Sequence, residues 1–328
     1  MIIHHLNCVS ACPVGGRFMD GISTGPRRAR LTSHCLLVES RGSLVLVDTG
    51  YGLRDVHAPR TRLSKLFLGL ARPVLDEDMT AIRQIERMGF DPRDVRHIVL
   101  THLDCDHAGG LDDFPWATVH MLDAEREAAT AQRTVLDRMR YRPAQWSTRD
   151  RWRTYAPAEG EAWLGLPCVR GLEALEAEIV LVPLIGHTLG HCGVAVRRAD
   201  GGWLLHAGDA YVYFDEMNLE RPSCTPGLRA YQWLMDADHT RRLANQHRLR
   251  TLLHERGADL TIVCSHDVRE FEQASGRTCD TPPPRVRETR DGVPIVDEGA
   301  IDAAPPRGGG APVVRVRPAR EHHAPRLR

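Results

Sequence analysis

Residues 97–110 read HIVLTHLDCDHAGG. Four side chains that could bind a metal, His102, Asp104, Asp106 and His107, fall within six residues. They follow an apolar run, Ile98-Val99-Leu100, that reads as a buried strand. Gly109-Gly110 then permits tight turning of the backbone. Polar groups at this density are costly to bury without a partner. Imidazole nitrogens combined with carboxylate oxygens suit zinc, iron or manganese. Taken alone, the stretch could also be a polar loop that caps a helix, so the rest of the chain must decide.

Three later segments repeat the arrangement of an apolar strand followed by a ligand-type side chain. Residues 179–184 precede Gly186-His187-Thr188-Leu189-Gly190-His191. Residues 203–205 precede His206-Ala207-Gly208-Asp209, and residues 260–264 precede Ser265-His266-Asp267. Strand ends are where α/β proteins assemble their sites. A single such histidine is usually structural, but four strand ends carrying matching ligand types in succession are not a packing pattern.

The elements that must position these residues can be read in order. Residues 34–39 and 44–47 form a hairpin around Ser40-Arg41-Gly42-Ser43. Asp48 ends it, either as a turn residue or as a carboxylate that orients a ligating histidine. Asp76 caps a helix whose apolar face is Met79, Ile82, Ile85 and Met88, and Gly89 stops it. Residues 117–122 are another strand, and Asp123 opens a helix running to about Arg140. An aromatic- and arginine-rich insertion spans about 123–165 and is densest over 141–163, which holds Trp146, Trp152 and Trp163. It reads as a mixture of a substrate-facing lid and a small subdomain with its own core. Residues 226–257 form two helices. The catalytic domain is expected over 1–277, followed by a Pro/Arg/Gly-rich, mostly disordered tail over 278–328, where His322-His323 is incidental.

Composition sets bounds. The 328 residues suffice for one large α/β domain with a sizeable core. A formal net charge of zero argues against nucleic acid as a partner. There is no apolar run long enough to cross a membrane and no secretory signal at the N-terminus. An odd count of nine scattered cysteines points to reduced thiols and a cytoplasmic location. The oligomeric state, monomer or dimer, is not written in the sequence.

The central stretch resembles the metallo-β-lactamase superfamily motif His-x-His-x-Asp-His, with Asp104 in place of the second histidine. The downstream segments follow in the superfamily's order, so the resemblance covers about residues 30–270. It implies an αββα sandwich, two mixed sheets face to face with helices outside. It also implies two divalent metal ions, zinc foremost with iron or manganese as alternatives. His102, Asp104 and His187 match the first-metal positions, Asp106, His107 and His266 the second, and Asp209 the bridging carboxylate. His191 matches a supporting position that does not bind metal. A hydroxide held between the ions, with its pKa lowered towards ~7, would be the nucleophile. Asp106 and Asp209 are then catalytic. Tyr211 and Tyr213 are candidates to contact the substrate carbonyl, as a nearby tyrosine does in the acyl-homoserine lactone lactonases of this superfamily, or else they are packing aromatics.

Asp104 has a consequence. With Asp106 and Asp209 it brings three negative charges to two cations, which predicts a weaker Lewis acid and a drift towards iron or manganese. The expected activity is hydrolysis of a small ester or lactone. The alternative is a non-haem iron oxidoreductase, similar to the flavodiiron enzymes or the persulfide dioxygenases of the same superfamily.

Overall fold

The computed structural model describes residues 1–288, except 41, 158–161, 171, 173, 174, 176 and 177, together with 294–296. Two sheets carry the fold. The first contains β1 (Ile2–Asn7), β2 (His34–Ser40), β3 (Ser43–Val47), β4 (Val95–Val99), β5 (Thr118–Leu122) and β6 (Trp152–Tyr155), in spatial order 1-2-3-4-5-6. Its β1–β2–β3 portion is antiparallel, and the β3–β4, β4–β5 and β5–β6 pairs are parallel. The second contains β7 (Ile179–Pro183), β8 (Cys192–Arg197), β9 (Trp203–His206) and β10 (Leu260–Val263), in order 10-9-8-7, with only the β9–β10 pair parallel.

Side-chain alternation along the strands explains why they read as continuous apolar runs. Leu36, Val38, Val45, Val47 and Val99 of the first sheet pack with Leu181, Val194, Leu204 and Val263 of the second, forming the layer between sheets. Their neighbours Leu37, Leu44, Leu46 and Ile98 face the other way, beneath the helix Ala81–Arg87. Val180, Val182, Leu205 and Ile262 pack beneath Leu249 and Leu252 of the helix His239–Arg256. Both faces of each sheet are therefore covered, the condition under which strands lose a polar face. The result is the αββα sandwich.

Three strands of these two sheets escape sequence reading. β1 is interrupted by His4 and His5, β8 carries Gly193, and β6 lies inside the supposed insertion. That last placement corrects the lid reading. Residues 152–155 complete the first sheet, Tyr141 and Trp146 are buried in its outer core, and Trp163 is buried against the second sheet. Arg149 stacks over Trp146 and Trp152. Aromatics this large bury more area in a core than a lid can offer.

The helix expected from Asp123 to Arg140 is two, Asp123–Ala131 and Val135–Arg140, divided by Gln132 at φ 41° and restarted by the Thr134 cap. The packed chain also runs past 277: Cys279 is buried, its carbonyl accepts from Asn7 Nδ2, and Asp280 pairs with Arg30. A short ribbon pairs Val286–Glu288 with Pro294–Val296. The rest of the expected tail, including His322-His323, lies outside the described residues.

Leu181 is fully buried between the sheets. Leu181→Ala is expected to lower unfolding free energy by about 2–5 kcal/mol through transfer and cavity terms. Trp233→Ala, at a side chain 68% exposed, should change it by less than about 0.5 kcal/mol. Chemical denaturation of both variants checks the assignment of inside and outside.

Candidate metal centre

Four strands, β3, β4, β7 and β10, deliver their C-terminal ends to one edge of the sandwich, and β9 joins them there. Asp48 follows β3 in a left-handed conformation, φ 55°, which aspartate tolerates. Its Oδ1 accepts from the Thr101 amide at 2.8 Å, and its Oδ2 meets Thr101 Oγ1 at 2.7 Å and His107 Nδ1 at 2.9 Å. Two more of the ligand histidines have their second nitrogen held in the same fashion. His266 Nδ1 lies 2.7 Å from the Thr32 carbonyl and His102 Nδ1 lies 2.9 Å from Thr101 Oγ1. Outer partners of this kind set the tautomer and leave Nε2 with its lone pair free.

The Nε2 atoms converge. His266 Nε2 lies 3.0 Å and His187 Nε2 3.5 Å from Asp209 Oδ2, and His107 Nε2 lies 3.4 Å from Asp209 Oδ1. Asp106 reaches His107 and His266 at 3.9 and 3.8 Å. Asp104 Oδ2 lies 3.1 Å from His187 Nε2 and 3.5 Å from His102 Nε2. Three groups of ligand atoms fall within 4.8 Å of one another: His102, Asp104 and His187; His102, His107 and Asp209; Asp106, His107 and His266. Within this cluster His102 Nε2, Asp104 Oδ1, His107 Nε2 and Asp209 Oδ1 are buried without a hydrogen-bond partner. Orphaned lone pairs aimed at shared space, backed by fixed tautomers, are what a divalent cation requires, so the donor set fits metal.

The family model of the metallo-beta-lactamase superfamily matches residues 28–252. The chain belongs to the metallo-beta-lactamase superfamily. It is 39% identical to a Mycobacterium tuberculosis protein named "Probable metallo-hydrolase" over 272 residues, 83% of this chain and 82% of that protein. An N-acyl homoserine lactonase of Azorhizobium caulinodans is 29% identical over 60% of this chain and 66% of its own length. Among solved structures, an N-acyl homoserine lactone hydrolase with bound N-hexanoyl-L-homoserine superposes with TM-score 0.61 at 19% identity, covering 85% of this chain and 97% of that one. A Staphylococcus aureus hydrolase superposes with TM-score 0.60 at 17% identity, covering 90% and 97%. These likenesses establish the superfamily fold.

All seven side chains singled out as ligands, His102, Asp104, Asp106, His107, His187, Asp209 and His266, lie in this cluster. His191 lies beside it with both nitrogens engaged. Nδ1 is 3.0 Å from the Leu184 carbonyl, and Nε2 accepts the Asp209 amide at 2.9 Å. That contact needs Gly208, since a Cβ there would lie 2.6 Å from His191 Nε2. His191 therefore holds the Asp209 turn.

Charge explains the titration of the cluster. Burial would lower His107 and His266, but Asp209 overrides it, with help from Asp48 for His107, and lifts them to about 10 and about 9. Burial alone would raise Asp209, yet His266 and His107 hold it well below the usual carboxylate range. A field that holds protons on imidazoles also favours a cation, and metal binding then releases those protons.

Of the two tyrosines, Tyr211 lies away from the ligand cluster and Tyr213 sits at its margin beside His266. Tyr211 is fully buried in the outer core of the second sheet, and its hydroxyl donates to Glu270 Oε1 at 2.9 Å. Tyr213 lines a narrow cleft with Asp20, Arg30 and His266. Spacing along a loop does not fix which way a phenol points. An apolar cavity of about 320 Å³ instead carries Tyr51 and Tyr231, with Asp104, Asp106, Arg140 and His266 on its wall. The Tyr51 hydroxyl is buried without a hydrogen-bond partner.

Sequence reading also missed two buried charges. Glu125 accepts from the Leu103 amide at 2.8 Å and from the Thr188 hydroxyl, tying together the two ligand loops. Gly190 makes this closeness possible, because a Cβ there would lie 2.0 Å from Glu125 N. Arg140 faces Asp104, with Nε 3.1 Å from Oδ1, adding a positive charge that the arithmetic of three carboxylates left out. Burial pushes the Asp104 carboxyl up, but Arg140 and His102 hold it well below its ordinary range.

Burial first, and then the charge of Asp267, raises Glu270 from 4.5 to about 8. A raised folded-state pKa means that the protonated form is favoured by folding. Its stabilising contribution is full below the unfolded pKa near 4.5 and is lost as pH rises through about 8. Glu270→Gln is therefore expected to melt close to the parent at pH ~5 and above it at pH ~9. Melting curves at the two values check it, and an equal difference at both contradicts it.

Proposed function

We propose that the chain is a metal-dependent hydrolase with a binuclear centre, acting on an ester or lactone that bears an apolar acyl group. The observation that supports it most is the placement of the orphaned ligand atoms in the wall of an apolar cavity. His102, Asp104 and His187 would hold one ion, Asp106, His107 and His266 the other, with Asp209 between them. Bound there, divalent ions lower the pKa of water and polarise a carbonyl. The chain's own residues do the remainder. Asp48 and the Thr32 carbonyl keep His107 and His266 in the tautomer that presents Nε2.

Phe67, Leu70, Met139, Leu228 and Leu234 line the cavity, and Leu70 and Leu234 stay 60% and 66% exposed at its surface. A lining of this kind takes up an acyl chain and excludes water from the polar end. Tyr51 and Tyr231 replace Tyr211 and Tyr213 as donors to the substrate carbonyl oxygen. Burial, followed by Asp106, pushes both phenols well above their ordinary pKa, so they remain protonated donors. The lactonase names among the relatives support the same substrate class.

The test is a panel of N-acyl homoserine lactones with short to long acyl chains, together with aryl esters, assayed on protein loaded with zinc or manganese. Turnover is expected to rise with acyl length and to fall more than about 100-fold in Asp209→Ala, since loss of a ligand exceeds the loss of an outer partner. No turnover of any lactone or ester, or full turnover in Asp209→Ala, contradicts the reading.

A further inference from the structure

Asp104 stands where the superfamily motif has a neutral histidine, and the structure shows what accompanies it. Arg140, at the end of the helix Val135–Arg140, is caged. Its Nη1 donates to the His187 carbonyl at 2.7 Å and its Nη2 to the Met235 carbonyl at 2.8 Å. Its Nε lies 3.1 Å from Asp104 Oδ1, an ion pair without hydrogen-bond geometry. The side chains of the pair are 2% and 8% exposed. The other carboxylate oxygen, Oδ2, turns to His187 and His102 inside the ligand group. One carboxylate therefore spans a fixed cation and a candidate metal position.

We propose that Asp104 and Arg140 act as one unit: Arg140 neutralises and orients Asp104, so that the carboxylate serves as a metal ligand with the net charge of the histidine it replaces. The inference rests on the metal-centre reading above. Asp104 and Arg140 sum to zero charge, as a neutral imidazole does. The uncompensated charge facing the cations is then that of Asp106 and Asp209, and the loss of Lewis acidity expected from a third carboxylate is cancelled, while the oxygen donor itself remains. Guanidinium suits the task because it stays charged when buried and its planar fork can hold a carboxylate and carbonyls together. Arg140 is a positioning residue: it acts on the cation through Asp104. The rival arrangement has the guanidinium take the place of one ion, since Nη2 also lies 3.3 Å from His187 Nε2.

Zinc affinity separates these, measured by competition with a chromophoric chelator on the full chain, with circular dichroism to confirm folding. In the native background R140Q is expected to weaken one bound zinc by about 10- to 100-fold, with R140K intermediate. D104H should also weaken it, because it strands a buried guanidinium beside imidazoles. Adding R140Q to D104H should then restore affinity, so that the same substitution harms one background and rescues the other. A merely structural role for Arg140 would weaken both. R140Q that weakens both backgrounds, or neither, overturns the proposal. So does R140Q that gains an ion, which would show that the guanidinium had replaced one. If R140Q does not fold, D104H with undiminished zinc affinity overturns it. A native chain that binds no zinc overturns the metal-centre reading itself, whereas zinc binding indifferent to Arg140 overturns only this inference.

Discussion

Buried carboxylates without enough donors govern this structure. Asp48, Asp104 and Asp209 are at most 5% exposed and clustered with imidazoles at one edge of the sandwich. Each is costly to bury as an ion unless it is paired. Asp48 is satisfied by Thr101 and His107, whereas Asp104 Oδ1 has the Arg140 guanidinium beside it as an ion pair but accepts no hydrogen bond. Asp209 keeps an unpartnered Oδ1 beside two imidazole nitrogens that are also unpartnered. Protein groups alone leave this arrangement incomplete, which is what the proposed cations would complete.

The fold supplies what such a cluster needs. Strands covered on both faces are rigid and end at one edge, so their terminal residues converge without long loops. The loops that carry ligands are then pinned by buried contacts. Glu125 ties the Leu103 and Thr188 segments, His191 holds the Asp209 amide, and Asn245 Nδ2 donates to the Ile185 carbonyl beside His187. Hydrogen bonds within the outer layer thus fix the positions of the ligand loops.

That these side chains would cluster was legible from sequence, because each follows an apolar run that marks a strand end, and the resemblance supplied their expected grouping. His191 and Asp48 were legible in kind for the same reason. The phenols were not. Tyr211 and Tyr213 follow Asp209 closely, but direction depends on the turn at Gly208, and the cavity receives Tyr51 and Tyr231 from the 51 and 226–235 segments instead. Arg140 was hidden among many arginines, because pairing with Asp104 depends on where one helix ends. The aromatic stretch was misread for a related reason. Tryptophans near arginines suggest a binding surface, but in space Trp146 and Trp163 lie on different sheets as core residues.

The central claim is that the cluster holds cations, and elemental mass spectrometry of the full chain, purified without added metal or chelator, tests it most directly. Three ligand groups, linked through His102 and His107, predict two divalent ions per chain. Protein that folds and retains no metal after incubation with zinc, manganese or iron would contradict the account. It would mean that the imidazole–carboxylate cluster is neutralised by protons alone.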